Sequence, residues 1–274
     1  MMKNVLAIAG SDSSGGAGIQ ADLKTFSAHG VYGMTVITAI TAQNTAKVID
    51  VQDITPDMIG KQIDAIFEDI DVDAVKIGMV SKIESIKVIA EKLRKYNPKN
   101  IVLDPVMISK SGYALLEPDA IKTLIDELLP IATVVTPNAP EAERISGIKI
   151  KSVQDMKKAA EIIHGMGAKN VLIKGGHIEG SHSTDILFDG ENFHVYEAEH
   201  IKTKNTHGTG CTLSSAIASN LALEMDIASA VENAKKYITS AITHSLSIGK
   251  GNGPTHHFYE LYKKAGLLFN SGKD

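Results

Sequence analysis

The sequence predicts an α/β protein, a three-layer sandwich in which helices flank a central, mostly parallel sheet. Short apolar runs alternate along the chain with amphipathic helical patterns, as expected of βαβ units with right-handed crossovers. The runs are rich in β-branched residues and apolar on both faces, as strands buried between two helical layers are. No internal repeat, low-complexity tract or break in composition divides the chain, which favours a single domain over residues 1–274.

Six apolar runs are predicted to be strands, at residues 5–10, 34–40, 74–79, 100–106, 133–138 and 170–176. Amphipathic stripes between them predict helices, and one such stripe is formed by Ile59, Ile63, Ile66, Phe67 and Ile70. Around residues 183–197, two short runs flank Asp189-Gly190, a pattern typical of an antiparallel hairpin. Three more helices are predicted near residues 211–223, 226–246 and 257–268.

Composition excludes several classes of function. The net charge is −4 and charges of both signs are mixed along the chain, so no nucleic-acid partner is expected. A single cysteine excludes an internal disulfide and fits a reducing compartment. The first apolar run has only about five residues before Gly10, too few for a signal peptide or a membrane span. We therefore expect a cytoplasmic protein with no membrane partner.

Polar and glycine-rich residues follow the predicted strands, at the sheet edge where α/β proteins bind ligands. They are Gly10-Ser11-Asp12, residues 41–44, Gly78-Met79, Asp104, Pro137-Asn138 and residues 174–176. Each group alone is consistent with ordinary turn chemistry. Their occurrence at every strand end predicts a binding site there.

The segment from His207 to Cys211 reads His-Gly-Thr-Gly-Cys and opens a predicted helix. Gly208 and Gly210, on either side of Thr209, permit close approach of a ligand, and the free N–H groups of a helix start form an anion site. A tight helix start with incidental glycines is the alternative. The segment matches neither a Walker phosphate loop nor a dinucleotide fingerprint. The thiol is a core residue, a nucleophile paired with His207, or a group facing a bound anion.

Two more candidates lie near the start of the chain. Asp22 lies in the first turns of a predicted helix, where a carboxylate is either a favourable charge or a ligand for a small polar molecule. Gln43 lies at a strand end, and its amide donates and accepts together, which suits the edge of an aminopyrimidine.

A third group of candidates suits a phosphorylated ligand. Asp104, with Asn138 and Glu141, can hold Mg²⁺ through water, although Glu141 is equally well explained as a first-turn helix charge. Lys174 at a strand end indicates a phosphate contact, with a solvated lysine as the alternative. An anion-binding turn, a lysine, two carboxylates and a separate polar pocket together predict phosphoryl transfer, in which positioning and charge neutralisation dominate.

These motifs resemble those of the hydroxymethylpyrimidine/phosphomethylpyrimidine kinases of thiamine synthesis, in the ribokinase-like superfamily. The resemblance covers nearly the whole chain and rests on the segments IAGSDSSGGAGIQADLKTFSAHGVYGMTVITAITAQNT, KIGM, VLDPVM, KSG, TPNAPEA, IKGGH, NTHGTGCTLSSAIA and GKGNGPTHH. It implies a ribokinase-like fold and ATP-dependent phosphorylation of 4-amino-5-hydroxymethyl-2-methylpyrimidine. The monophosphate is then phosphorylated to the diphosphate. It also implies a homodimer.

The resemblance assigns a role to the lone cysteine. Sugar kinases of the superfamily carry Gly-Ala-Gly-Asp at this turn, with the aspartate as catalytic base, whereas this chain has Gly-Thr-Gly-Cys. By resemblance, Cys211 accepts the proton of the substrate hydroxymethyl group, aided by His207. Backbone N–H groups of residues 208–211 would stabilise the transferring phosphoryl group.

The resemblance also distributes the other residues over two subsites. The expected pyrimidine contacts are Gln43, Asp22 and the Gly10 backbone, with Met79 and Val106 as walls. The expected ATP and Mg²⁺ contacts are Lys174, Asn138 and Thr209 for the nucleotide, and Asp104 and Glu141 for the metal. Residues 109–116 are expected to form a mobile flap over the site.

Three other functions are compatible with parts of the pattern. A pyridoxal kinase shares the Gly-x-Gly-Cys turn, although the segment Ala42–Thr45 favours the pyrimidine. A catalytically silent ligand sensor on the same fold would keep the binding site, but here the turn, lysine and carboxylates are intact. A thiol hydrolase would use Cys211 covalently and would need no nucleotide.

Overall fold

A computed structural model describes residues 1–108, 112, 115–116, 119–176 and 182–268. Its sheet contains the strands β1 Asn4–Asp12, β2 Tyr32–Gln43, β3 Val48–Asp53, β4 Ala74–Ile77, β5 Ile101–Leu103, β6 Val134–Val135, β7 Val171–Ile173, β8 His182–Phe188 and β9 Phe193–Glu199. Their spatial order is β3-β2-β1-β4-β5-β6-β7-β8-β9. Neighbours from β2 to β7 are parallel, and β3, β8 and β9 are antiparallel to their neighbours. The predicted mostly parallel sheet is confirmed.

Helices cover both faces of this sheet. They are α1 Gly18–Ala28, α2 Pro56–Phe67, α3 Ile83–Tyr96, α4 Ala120–Glu127, α5 Ala139–Ser146, α6 Val153–Gly165, α7 Thr209–Ala222, α8 Ile227–Thr243 and α9 Tyr259–Lys264, with a 3₁₀ turn at Leu129–Ile131. Alternate residues of β1 enter different cores: Leu6 and Ile8 pack with α2, α3 and α6, whereas Val5 and Ala7 pack with α1, α7 and α8. Strand β1 lies inside the sheet, between β2 and β4, and helices cover it on both faces.

The six predicted apolar runs all contain strands and occur in the predicted order, but two details differ. Strand β6 is shorter than predicted, at Val134–Val135, although Thr136 N–H still bonds to the Leu103 carbonyl of β5. Strand β3 was not predicted, since it is a short edge strand in which apolar and polar residues are mixed and only Val48 is buried. The hairpin of β8 and β9 is confirmed, with Phe188 opposite Phe193.

The helix predictions near the carboxyl terminus also hold, with changed ends. Helix α7 begins at Thr209, two residues before the predicted start, and α9 is limited to Tyr259–Lys264. Helix α8 begins after Asp226, whose side chain accepts a hydrogen bond from the Ser229 N–H. In the described part of the chain, no helix has the length and apolar character needed to span a membrane.

Candidate active site

The loop after β1 is organised around one buried carboxylate, Asp12. Its oxygens accept hydrogen bonds from the backbone N–H groups of Ser14, Gly16 and Ala17 at 2.8–3.1 Å. His207 Nε2 lies 2.8 Å from Asp12 Oδ2, which ties this loop to the start of α7. Burial alone would raise the pKa of Asp12, but the bonds from His207 and Ser14 outweigh it and lower the pKa to about 2. Asp12 is therefore a permanent negative charge that fixes the loop.

The start of α7 leaves backbone donors open. Gly208 precedes the helix with φ +77°, and a Cβ on it would lie 1.7 Å from the Gly16 carbonyl oxygen, so only glycine fits there. No side chain caps the helix. Among the described residues, the N–H groups of Gly210 and Cys211 have no hydrogen-bond acceptor, and that of Thr209 makes only a 3.4 Å contact with Thr206 O. Free N–H groups at a helix start favour the anion-site interpretation over a simple helix start.

Cys211 is the third residue of α7, and the residue as a whole is partly exposed. Burial, together with the negative charges of Asp22 and Asp104, raises the thiol pKa to about 11, and Lys76 opposes this. The thiol is therefore protonated at neutral pH, which disfavours the thiol-hydrolase alternative.

His207 does not contact Cys211. In the described part of the structure no hydrogen bond or ion pair joins the two residues, and the His207 Nε2 atom faces Asp12 instead. The expected help from His207 in proton transfer thus has no direct contact to support it. The imidazole holds the loop after β1 against the turn before α7.

An ion pair lies under the turn before α7. Lys174, after β7, places Nζ 3.0 Å from Asp104 Oδ1, after β5, and Ser214 of α7 donates to the other oxygen at 3.3 Å. A Cβ on Gly210 would lie 3.5 Å from both Asp104 Oδ2 and Lys174 Nζ. Burial opposes the charge of Lys174, but Asp104 and Glu141 outweigh it and raise the pKa of Lys174. The anion-binding turn and the predicted phosphate lysine are thus brought together.

Glu141 and Asn138 form a reciprocal cap at the start of α5. The Glu141 carboxylate accepts the Asn138 N–H at 2.8 Å, and the Asn138 amide oxygen accepts the Glu141 N–H at 2.9 Å. The first-turn interpretation of Glu141 is therefore confirmed. Burial and the charge of Asp104 raise the pKa of Glu141 to about 7, against the opposing charge of Lys174. The Glu141 carboxylate therefore interacts electrostatically with both members of the Lys174–Asp104 ion pair.

A magnesium ion fits these residues only in combination with a ligand. No cluster of three or more His, Cys, Asp or Glu side chains suited to a metal occurs within the described ranges. Asp104 and Glu141 supply two carboxylates, which is the complement Mg²⁺ uses when substrate phosphates and water complete its shell.

Asp22 faces the protein interior. The carboxylate is fully buried and accepts hydrogen bonds from Lys76 Nζ at 2.9 and 3.0 Å and from Ser215 Oγ at 2.7 Å. The helix-charge alternative is wrong for Asp22, because the first turn of α1 contains no acidic residue and α1 has no side-chain cap. The expected direct contact with a pyrimidine is not supported by this geometry, since both oxygens already have partners inside the protein.

Lys76 was missed in the sequence because it lies within an apolar run. Its side chain is fully buried in β4. Burial disfavours the ammonium, yet the neighbouring Asp22 carboxylate outweighs that cost and raises the pKa of Lys76. The only signal in the sequence was a lone charge in an otherwise apolar strand.

The predicted pyrimidine residues lie at the same edge of the sheet. Gln43 Nε2 is 3.4 Å from His207 Nε2, and the Gln43 backbone exchanges two hydrogen bonds with the Ser13 hydroxyl. A Cβ on Gly10 would lie 3.1 Å from Met79 Sδ, so Met79 packs against the Gly10 backbone. Val106 is half-buried two residues after Asp104. The predicted flap at residues 109–116 lies mostly outside the described residues.

Comparison with known proteins gives the family. A family model for phosphomethylpyrimidine kinase matches residues 12–256. The chain belongs to this family. The hydroxymethylpyrimidine/phosphomethylpyrimidine kinase of Rhizobium meliloti is 54% identical over 261 residues, which cover 94% of this chain and 98% of that protein. The match confirms the resemblance inferred from the motifs.

Solved structures of kinases share the fold. Phosphomethylpyrimidine kinase of Clostridium difficile is 58% identical with a TM-score of 0.79, covering 88% of this chain and 99% of that one. The ADP complex of Bacillus subtilis pyridoxal kinase is 43% identical with a TM-score of 0.88, covering 94% and 98%. Phosphomethylpyrimidine kinases and pyridoxal kinases therefore share this architecture, and the present chain has the ribokinase-like fold that its sequence predicted.

Proposed function

We propose that the protein transfers the γ-phosphoryl group of ATP to the hydroxymethyl group of 4-amino-5-hydroxymethyl-2-methylpyrimidine. A second transfer would convert the monophosphate to the diphosphate, for thiamine diphosphate synthesis. One observation carries this proposal: the open N–H groups at the start of α7 lie directly over the Lys174–Asp104 ion pair. Hydrogen-bond donors, a lysine ammonium and carboxylates therefore lie close together. This combination can bind and neutralise a phosphoryl group during its transfer.

In the proposed reaction, the substrate hydroxyl oxygen forms a bond to the γ-phosphorus while the bond to the β,γ-bridging oxygen breaks and ADP leaves. The N–H groups of Gly210 and Cys211 would bind the equatorial oxygens, and Lys174 would neutralise their charge. Asn138 and Thr209 would contact the nucleotide phosphates. Asp104 and Glu141 would hold Mg²⁺, which supplies charge neutralisation on the ATP phosphates.

Cys211 would orient the hydroxyl group, and only its thiolate form would accept the hydroxyl proton. The raised thiol pKa leaves little thiolate at neutral pH, so proton transfer to sulfur is a small contribution beside positioning and charge neutralisation. A small contribution from proton transfer is consistent with a loose transition state, in which the attacking hydroxyl group needs little activation. Gln43 would hold the aminopyrimidine edge, with Gly10, Met79 and Val106 around the ring.

The pyridoxal kinase alternative has less support, because the phosphomethylpyrimidine kinase structure is 58% identical to this chain and the pyridoxal kinase structure 43%. Both substrates are rings with a hydroxymethyl group. The test is to offer both compounds in parallel with ATP and Mg²⁺, and to follow products by mass spectrometry. Pyrimidine mono- and then diphosphate, with slow or no pyridoxal turnover, supports the proposal. Preferential pyridoxal phosphorylation without pyrimidine diphosphate refutes it.

The same assay separates the two remaining alternatives. A silent sensor would bind the pyrimidine without consuming ATP, and a thiol hydrolase would be labelled at Cys211 by an acylating probe without any nucleotide. We also propose that residues 1–274 act as a single kinase domain in a cytoplasmic homodimer, on the family resemblance alone. Sedimentation at assay concentrations should then give twice the chain mass of 29.2 kDa.

A further inference from the structure

The motif GKGNGPTHH has no role in the proposed reaction, although it is one of the segments that carry the family resemblance. It lies between α8 and α9. Residues 249–254 of this motif form an irregular segment, the strap, whose backbone contacts two other parts of the chain. These are the loop after β2 and the turn before α7, which contain the predicted pyrimidine contact Gln43 and the anion site.

The first contact of the strap is with Thr45, two residues after Gln43. The Gly251 N–H donates to the Thr45 hydroxyl at 3.1 Å, and the Asn252 N–H donates to the Thr45 carbonyl at 2.9 Å. A Cβ on Gly251 would lie 2.1 Å from that carbonyl oxygen, and a Cβ on Gly249 would lie 2.3 Å from the hydroxyl oxygen. The strap backbone therefore lies against Thr45 at a distance that only glycine permits.

The second contact of the strap is with the turn before α7. The Gly253 N–H donates to the amide oxygen of the buried Asn205 at 3.1 Å, and the Gly253 carbonyl accepts the His207 N–H at 3.0 Å. The Asn205 amide nitrogen donates in turn to Ser247 Oγ at 3.0 Å, so one side chain holds both the strap and the residues before it. The strap thus joins the loop that carries Gln43 to the turn that carries the anion site.

The loop after β2 has few other attachments beyond Gln43. The Asn44 amide oxygen accepts the N–H groups of Ala46 and Lys47, and the Asn44 N–H donates to the Lys47 carbonyl. Among the described residues, only the strap makes hydrogen bonds that join residues 44–47 to segments outside this loop. An exposed loop that bonds mainly to itself moves readily unless another segment holds it. The strap is therefore the attachment that fixes the far side of this loop.

We propose that the strap positions Gln43 for the aminopyrimidine, with Thr45 and Asn205 as positioning residues. The strap holds the loop after β2 against the turn before α7, so the Gln43 amide stays at a fixed distance from the anion site. A ring held at that distance places its hydroxymethyl group beside the phosphoryl group to be transferred. The link between the strap and the loop stands on the contacts alone, whereas its consequence for substrate binding rests on the proposed kinase function.

Amide hydrogen exchange, measured by NMR, tests the link without substrate or nucleotide. Thr45→Val removes the hydroxyl that accepts the Gly251 N–H but keeps the shape of the side chain, and Thr45→Ser keeps the hydroxyl. Exchange is followed at the N–H groups of Gln43 and Asn44, whose own acceptors are unchanged. In Thr45→Val both should exchange about fivefold faster, as expected for the loss of one hydrogen bond. In Thr45→Ser both should stay within about twofold of wild type.

Two glycines with the same φ provide a second, matched pair of variants. Gly249 and Gly147 both have φ +77°, so alanine strains the backbone alike at the two positions. A methyl group on Gly249 would meet the Thr45 hydroxyl at 2.3 Å, whereas no described residue lies within 4 Å of one on Gly147. Gly249→Ala should raise the KM for the pyrimidine about tenfold and leave the KM for ATP within about twofold of wild type. Gly147→Ala should leave both constants within about twofold.

Wild-type exchange at Gln43 and Asn44 in both Thr45→Val and Gly249→Ala would overturn the proposal. Equal kinetic changes in Gly249→Ala and Gly147→Ala would also overturn it, as would a comparable rise in both KM values, since a general loss of structure is not confined to one subsite. If the protein has no kinase activity, the proposed function fails, and hydrogen exchange still decides whether the strap holds the loop.

Discussion

His207 Nε2 and Asp12 Oδ2 lie 2.8 Å apart, although the two residues are 195 positions apart in the sequence. This contact joins the loop after β1, beside the predicted pyrimidine site, to the turn before α7, beside the predicted phosphate site. Because Asp12 also accepts three backbone N–H groups of its loop, one carboxylate fixes the separation of the two subsites. Phosphoryl transfer depends on that separation, since positioning of the two reactants dominates the reaction.

The first prediction concerns this contact. Asp12→Asn should lower turnover by about a hundredfold, because the amide cannot accept all of the N–H groups now bonded to the carboxylate and the loop loses its position. The control is Asp189→Asn, which removes a carboxylate from another histidine contact, 2.7 Å from His194 Nε2 and away from the site. Steady-state kinetics should show near wild-type turnover for the control, and equal losses in both variants would contradict the assignment.

Asp12 should also contribute to acid stability. Its pKa is lowered to about 2 in the folded protein, so its stabilisation is present above the ordinary pKa of 3.8 and is lost as pH falls from about 4 to 2. The contribution is on the order of 2 kcal/mol. Urea unfolding of the wild-type protein should therefore lose free energy over this window, and Asp12→Asn should lose less. Parallel curves for the two proteins would refute this account.

The next prediction separates the two glycines of the turn. Gly208→Ala should destabilise the fold by about 2 kcal/mol or more, because the residue has positive φ and its new methyl group would meet the Gly16 carbonyl at 1.7 Å. Gly210→Ala should fold normally, since its nearest contacts are ordinary at 3.5 Å, yet it places a methyl group over Asp104 and Lys174. We expect about a hundredfold loss of turnover there. Thermal unfolding and turnover measured together check both, and an active Gly210→Ala would contradict the anion site.

The sequence was sufficient to predict the parallel strands of the sheet and the residues that follow them. Buried parallel strands are continuous apolar runs, so β1 and its parallel neighbours were visible, whereas the edge strand β3 is half-exposed and was not. The turn before α7 was visible because its glycines and following helix are contiguous. The sequence pattern therefore predicts a structural feature well when a single short segment forms that feature.

Features built from distant segments could not be predicted. The family resemblance led us to expect that His207 aids Cys211, but the His207 ring contacts Asp12. Asp22 was assigned to a ligand because the sequence does not show that Lys76 lies beneath it. Side-chain pairing depends on how the helices pack across the sheet, and one sequence carries no direct record of that packing.

A further prediction uses the position of Glu141 in the buried ion-pair group. Its folded pKa of about 7 exceeds the ordinary value of 4.5, so between these values the folded protein holds a proton that the unfolded chain has released. Folding free energy should therefore become less favourable as pH rises from about 5 to 7, by on the order of 3 kcal/mol in metal-free buffer. Glu141→Gln keeps an oxygen that can accept the Asn138 N–H. In urea unfolding, the free energy of unfolding of this variant should change little between pH 5 and 7.

Glu143 provides the control on the same helix. Its pKa is lowered by the Ile150 N–H and Lys149, and its carboxylate lies outside the buried group. Glu143→Gln should keep the decline between pH 5 and 7. If Glu141→Gln declines as steeply as the wild-type protein, another group carries the pH dependence.

The last prediction separates chemistry from binding at Cys211. Cys211→Ala removes the sulfur that would orient the hydroxyl group and make a small contribution to proton transfer, but it keeps the backbone N–H of the anion site, so kcat should fall by about tenfold. Calorimetric binding of the pyrimidine without ATP should change by less than about twofold, because the ring contacts are assigned to other residues. Gln43→Ala should show the opposite split, with binding weakened about tenfold and kcat at saturation largely kept. Near-normal turnover in Cys211→Ala would show that the thiol has no role in the reaction. Binding of the phosphoryl group by the N–H groups at the start of α7 would then be the contribution of this turn to catalysis.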